Sequence, residues 1–448
     1  MAFTKADKRF LIVLVLVHAV FFILACHYRC IYNGDSEEYV LMAKNISKGW
    51  LYAGDLSKPV ITPELLTLRP PGYPLFMGIV YLLGGNDWIV LLLQSCVSIF
   101  NFWYLRKVLQ HIGYRTKYDW LLLVFAIAFP SQYVNANTIA PDLLLQTTVL
   151  LFFGSLIVFL QTKRSKHVWH MSLWLVAGVM IKPVLLPMIY LYTAVVAFAG
   201  VLVYKRVLKV TIIAVIPLVV VLLYSWFNEQ RTGKFHFSST QSFNAIFYYF
   251  NYYKDTKGAD EAVAFLQKER DSMSHIASFR ERYDYANSRG KELLKENFAG
   301  FLKYNTIHSL RLLIDPGKGE LDMFTGRLNL KQLYNVHDTS GFYASYKLHG
   351  VSGVKDYIKR NPTIPVIMFV LLVNVLRLMG LALFLFRRSL DYRVRLFVFL
   401  FTGYFIFIAG AIAHVRYLMP VSLIMMGCAA IGWAGWLYKR NISPIQTT

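Results

Sequence analysis

The chain has 448 residues, 56% of them hydrophobic and only 16% charged, with a mean hydropathy of +0.45 and a formal net charge of +22. A soluble core cannot hide that much apolar surface, and several apolar runs approach the roughly 20 residues that cross a bilayer. Nucleic-acid binding is set aside, because the basic residues fall in short clusters between apolar runs, where the positive-inside rule puts them.

Lys5, Lys8 and Arg9 precede the run 10–27, which places the N-terminus in the cytoplasm and the stretch 28–73 outside. A charged start followed by an apolar stretch also fits a signal peptide. The many later spans favour an uncleaved first helix. Within 28–73, residues 37–48 read as a short amphipathic helix lying on the membrane. The run 74–85 is too short to span and reads as half-inserted, entered by Pro74 and ended by Gly84-Gly85.

The run 88–105 then goes inward to Arg106 and Lys107, and 119–135 returns. Asp142 opens the run 142–161, which ends at Lys163-Arg164-Ser165-Lys166. Residues 170–204 lie between this cluster and Lys205, Arg206 and Lys209, so they cross an even number of times. The break at Lys182-Pro183 divides them into two helices. The run 210–227 leads outward again.

Residues 228–361 form the long polar segment and hold fifteen of the 25 acids. They read as an external domain, mostly helical between 259 and 315. The runs 363–386, 396–413 and 418–437 complete the chain, with Arg387-Arg388 and Lys439-Arg440 inside. The expected fold is therefore all-α and polytopic, with about ten transmembrane helices. Its parts are an N-terminal membrane module (1–227), an external helical domain (228–361) and C-terminal membrane helices (362–448). The four cysteines, Cys26, Cys30, Cys96 and Cys428, show no zinc spacing.

Polar groups gather at one predicted face. Asp35, Glu37, Glu38, Arg69, Asp142, Lys182, Arg231, His414 and Arg416 all fall at or just beyond the external ends of spans, where charge is costly and points to function. Asp35 suits a general base for an attacking hydroxyl. Its position fits equally a cap on the helix that follows. Glu37 and Glu38 fit first-turn acids facing a helix dipole, and Glu38 is also a candidate for the acceptor-binding or second carboxylate.

Arg69 stands before Pro70 and Pro71, which hold its backbone extended, and a guanidinium grips phosphate bidentately. Asp142 reads either as a dipole acid or as a second carboxylate near Asp35, acceptor-binding in preference to metal-binding. Lys182, at the helix break, requires a phosphate or an acid nearby. Arg416 is a further phosphate clamp. Tyr73, His414 and Tyr417 are expected at the rim. No Asp-x-Asp pair is present, which argues against a divalent metal without excluding one, and no cofactor is expected.

Taken together, these residues resemble the GT-C class of integral-membrane glycosyltransferases. More narrowly, they are similar to the bacterial polyprenyl-phosphate-sugar branch related to protein mannosyltransferases and the aminoarabinose transferase of lipid A. The resemblance rests on Asp35 in the first external loop, the amphipathic helix, Arg69-Pro70-Pro71 leading into Gly72-Tyr73-Pro74, and Asp142. It continues through Lys182-Pro183, Asn228 with Gly233, and Arg416-Tyr417 before Pro420. The aminoarabinose branch has lysine where Arg69 stands, and arginine is usual where Lys182 stands, so charge is kept and hydrogen-bond geometry is not.

The resemblance implies a GT-C-like bundle, Asp35 as catalytic base, and Arg69 with Arg416 on the donor phosphate. The function to expect is inverting transfer of a sugar from a polyprenyl-phosphate donor to a hydroxyl on a glycan, lipid or protein acceptor. The enzyme would sit in the plasma (inner) membrane, with both termini cytoplasmic and the site periplasmic. The rivals are a lipid-linked-sugar flippase and a polysaccharide polymerase or ligase.

Overall fold

The computed structural model describes residues 4–203, 207–329 and 342–438. Lys205, Arg206, Lys439 and Arg440, which helped orient the spans above, lie outside the described residues, as does 330–341 of the polar segment. All regular secondary structure among the described residues is helical.

Helix α1 (Lys5–Tyr28) starts at a capping box. The Thr4 hydroxyl accepts from the Asp7 N–H at 3.1 Å, and the Asp7 carboxylate accepts from the Thr4 N–H at 2.8 Å. After α1 come the amphipathic α2 (Ser36–Ile46), which buries Tyr39, Met42, Ala43 and Asn45, and the single turn α3 (Pro63–Leu66). Helix α4 (Gly72–Leu82) has 11 residues, about 16 Å at 1.5 Å per residue, half the thickness of a bilayer core. It exposes Leu75, Ile79 and Leu82 and stops at Gly84, whose φ of 81° suits glycine.

Helix α5 (Asp87–Gln110) follows. The run 119–135, expected as one returning span, is two helices, α6 (Asp119–Ile127) and α7 (Pro130–Ala136). Pro130 cannot donate to the preceding turn, and Phe129 leaves helical geometry at φ −127°, ψ 73°. Helices α8 (Asp142–Thr162), α9 (Ser165–Ile181), α10 (Leu186–Val203) and α11 (Val207–Thr232) come next. The expected break between α9 and α10 falls at Lys182, extended at φ −151°, ψ 131° before Pro183.

The polar segment carries α12 (Thr240–Thr256), α13 (Ala259–Ser274), α14 (Phe279–Glu296), α15 (Phe298–Ile314), α16 (Lys318–Phe324) and α17 (Phe342–Arg360), the last kinked at Gly350. Helices α18 (Ile364–Leu385), α19 (Tyr392–Ala409) and α20 (Met419–Leu437) end the described chain.

Seven helices among the described residues are long and apolar enough to cross a membrane on their own: α1, α5, α8, α11, α18, α19 and the segment Val415–Leu437. The other expected crossings fall on the broken pair α6–α7 and on α9 and α10. The chain is an integral, multi-pass membrane protein.

Helix α20 is the axis of the bundle, buried along almost its whole length and packed between α18 and α8. Gly432 makes this approach possible, since a Cβ there would collide with the carbonyl of Gly380. One end of the bundle is tied by a buried polar ladder. Gln146 of α8 donates to the Met419 carbonyl at 2.8 Å and exchanges bonds with Gln132 of α7, while Asn101 of α5 donates to Gln146 at 3.2 Å. In an apolar interior such amides stay only when paired, so this ladder fixes the register of four helices directly beneath the charged cluster.

Candidate functional site

The chain between α1 and α2 folds into a tight turn around Asn33 and Ser36. The Asn33 N–H donates to Ser36 Oγ at 2.8 Å, Ser36 Oγ donates to the Ile139 carbonyl at 2.7 Å, and the Asp35 N–H donates to Asn33 Oδ1 at 3.0 Å. Asp35 occupies the N-cap position of α2 yet makes no side-chain cap bond. Its two carboxylate oxygens instead go to two arginines: Oδ1 to Arg69 Nη2 at 2.9 Å and Oδ2 to Arg416 Nη2 at 2.7 Å. The capping alternative for Asp35 is therefore set aside by geometry.

Arg69 is held from both sides. The Leu68 carbonyl beside it accepts from Ser238 Oγ at 3.0 Å and Thr240 Oγ1 at 2.8 Å, and Thr67 Oγ1 pairs with His236 at 2.8 Å. Behind it, Gly72 lies against the α9 backbone, where a Cβ would come within 2.7 Å of the Met180 carbonyl oxygen. The guanidinium also bonds Glu38, with Nε to Oε2 at 2.7 Å, and rests over the Tyr39 ring at 5.2 Å. Glu38 is thus a partner of Arg69.

Lys182, freed from the helix by the break before Pro183, donates to Asp142 Oδ1 at 2.7 Å, the acid that its burial requires. Arg416 stands on a short 3₁₀ turn, Val415–Leu418, reached through Ala413 at φ 52°. It bridges the two halves of the cluster, with Nε 3.4 Å from Asp142 Oδ2. The Tyr417 ring faces both cations, 4.6 Å from Lys182 Nζ and 5.3 Å from Arg416 Cζ. Three carboxylates and three cations from α2, the α3–α4 loop, α8, the α9 break and the α20 entry therefore meet in one network.

Burial by itself would raise the Asp35 carboxyl, but Arg69 and Arg416 bring it well below the usual carboxylate range. Glu38 goes the other way. Burial outweighs Arg69, and its proton affinity is raised. Next to the network opens a cavity of about 550 Å³, lined by Gly34, Arg416, Tyr417, His414 and the aromatic rings of Phe247, Phe250 and Phe324.

Several expected residues sit elsewhere or play another part. Tyr73 is fully buried beneath Tyr39, not at the rim, because its hydroxyl is drawn inward to Gln94 Oε1 at 2.7 Å. Asp142 is 1% exposed, so it orients Lys182 and Arg416 and is closed to an acceptor. Arg231 leaves the cluster and donates to the Leu51 and Leu66 carbonyls, pinning the first loop to the end of α11. Glu37 is exposed on the outer side of α2.

Glu320 of α16 was not anticipated from the sequence. It lines the cavity 3.4 Å from His414 Nδ1. No motif marks it, because an acid in a polar, amphipathic segment reads as a solvated surface.

No family model matches the chain, and no curated protein matches it. Among solved structures, the chain is similar to ArnT from Cupriavidus metallidurans, seen in a crystal structure bound to undecaprenyl phosphate. The identity is 12%, the match covers 94% of this chain and 77% of that one, and the TM-score is 0.38. So loose a superposition assigns no residue a role, and the functional case rests on the site itself.

Proposed function

We propose that the chain is an inverting, GT-C-like glycosyltransferase that moves a sugar from a polyprenyl-phosphate donor to an acceptor hydroxyl at the non-cytoplasmic face. The observation that carries this reading is the single carboxylate, Asp35, gripped between Arg69 and Arg416 beside an open cavity. A carboxylate so clamped is a poor base. The same two guanidiniums are the natural partners of a phosphate, which presents more charge and more acceptor oxygens than a carboxylate does.

Arrival of the lipid phosphate draws Arg69 and Arg416 away from Asp35. That exchange restores the basicity of Asp35 where the acceptor hydroxyl must lose its proton. The hydroxyl oxygen attacks the anomeric carbon, its proton passes to Asp35, and the sugar–phosphate bond breaks with its electron pair going to the phosphate. Phosphate is already a good leaving group. It needs the fixed positive charge of Arg69, Arg416 and Lys182 more than it needs a general acid. The polyprenyl tail has an apolar surface to follow along the exposed Leu75, Ile79 and Leu82 of α4.

The test is Asp35→Asn in a transfer assay with undecaprenyl-phosphate-linked sugars. The expected result is a loss of about 10²–10⁴-fold in turnover with undecaprenyl phosphate still bound. Transfer at the wild-type rate ends the assignment.

A further inference from the structure

Glu320 is a buried carboxyl that the network above does not use. The residue is 8% exposed and faces the cavity, yet neither carboxyl oxygen closes a hydrogen bond among the described residues. Ser131 and Asn135 stand close enough to favour its charged form slightly, but outside bonding geometry. Burial prevails and pushes the carboxyl up to about 8, so it is uncharged at neutral pH. An uncharged carboxyl offers one donor and one acceptor side by side.

Beside it, His414 Nδ1 accepts the Arg416 N–H at 3.4 Å, which leaves Nε2 to carry the hydrogen. Burial and the neighbouring Arg416 hold this imidazole down at about 4, so it too is neutral. Protein encloses the ring closely, and the third of its surface that stays accessible opens on the cavity. The same cavity is lined by the aromatic rings of Phe247, Phe250 and Phe324. Unpaired neutral donors and acceptors set among flat apolar rings match a neutral polyhydroxylated ligand, whose hydroxyls both give and take hydrogen bonds while its C–H faces lie on the rings.

We propose that Glu320 and His414 form a hydroxyl-binding subsite for a glycosyl group, immediately beside the phosphate-binding cations. The proposal rests on the glycosyltransferase reading for what the subsite does. Its ligand is the sugar of the donor or a sugar of the acceptor, and the two are separated by experiment.

Binding to the purified full chain in nanodiscs is measured for undecaprenyl phosphate, undecaprenyl-phosphate-linked glucose and mannose, and methyl hexosides with and without undecaprenyl phosphate. Wild type, Glu320→Ala and Glu320→Gln are compared, with thermal melting to show that each variant is folded. The expected result is that Glu320→Ala binds sugar-bearing probes about tenfold more weakly while holding undecaprenyl phosphate as wild type does. Glu320→Gln, neutral and of the same shape, keeps most of the affinity. A loss confined to the lipid-linked sugars makes this the donor's subsite, and one confined to methyl hexosides makes it the acceptor's.

Unchanged sugar binding in Glu320→Ala overturns the proposal and leaves the glycosyltransferase reading standing. If wild type binds methyl hexosides through Glu320 but does not bind undecaprenyl phosphate, the subsite stands and the donor assignment falls.

Discussion

Helix α1 has an ion cluster at each end, and the two differ in a way that separates scaffold from site. At its start, Arg106 is wholly buried and fully used: two parallel bonds of 2.9 Å run to Asp119, another runs to Asp7, and Lys107 adds a contact with Asp7 at 3.0 Å. Beyond its end, Asp35, Arg69, Asp142, Lys182 and Arg416 share contacts just as short, but Arg416 Nε and Asp142 Oδ2 close no hydrogen bond and a cavity opens alongside. Both clusters bring several charges together at low exposure. Only the second lies against a cavity, which Arg416 helps to line, and a cation held beside open space in a low-dielectric place is what a charged substrate can use.

The comparison breaks most visibly at Arg106. Arg106→Met leaves Asp7 and Asp119 without their buried partner and should cost about 3–5 kcal/mol in stability, read as a large drop in melting temperature in detergent. Arg416→Met should cost much less, because Asp35 keeps Arg69 and Asp142 keeps Lys182. It should instead weaken undecaprenyl phosphate binding at least about tenfold. Equal losses of stability in the two variants would remove the distinction between sealed and open clusters.

How far the sequence reaches follows the same division. The charges of the open cluster were legible, because a charge at a membrane edge is rare and each stands beside a proline or a span end: Arg69 before Pro70, Asp142 after Pro141, Lys182 before Pro183, Arg416 before Pro420. Their pairing was not legible, since Asp35 and Arg416 are 381 residues apart and local spacing says nothing of such a contact. The run 119–135 misled because apolar composition is blind to the break that Pro130 imposes. Tyr73 misled because its position after Pro70-Pro71-Gly72 suggests a rim, while Gln94 on another helix pulls it inward. Glu320 could be found only from the packing of α16 against α7, which no periodicity encodes.

A subtler contrast can be drawn with pH. The Glu320 carboxyl titrates near 8 when folded and near 4.5 when unfolded. Between those values the unfolded chain has lost the proton that the folded chain keeps. Stability therefore falls as pH rises, by about 1.4 kcal/mol per unit, and levels off above about 8. The groups facing Glu320 are Asp315 on its own segment, His414 and Arg416 on the 3₁₀ turn, and Lys254 and Arg270 across the cavity. His414, held at about 4 when folded and at 6.5 when unfolded, adds a slope of opposite sign below about pH 6.5, so the fall caused by Glu320 stands alone only between about 6.5 and 8. Melting temperature followed from pH 6.5 to 8 should fall in wild type and be flatter in Glu320→Gln. Parallel curves would show that the carboxyl is charged and paired.

The smallest effect is the most specific to the proposed exchange of partners. In the free protein, Asp35 competes with any phosphate for Arg69 and Arg416, so part of the binding energy of the lipid phosphate goes into breaking those two bonds. Asp35→Asn removes the competing charge while keeping the shape, and a neutral amide holds a guanidinium far less strongly than a carboxylate does. The variant that loses transfer should thus bind undecaprenyl phosphate several-fold more tightly than wild type, with the gain fading as salt screens the cluster. Asp142→Asn is the control. Asp142 is sealed from the cavity and holds Lys182, so its removal frees one cation but loosens the frame that aims it. Weaker lipid binding in Asp35→Asn would mean that Asp35 organises the arginines for phosphate, and that donor binding does not release the base.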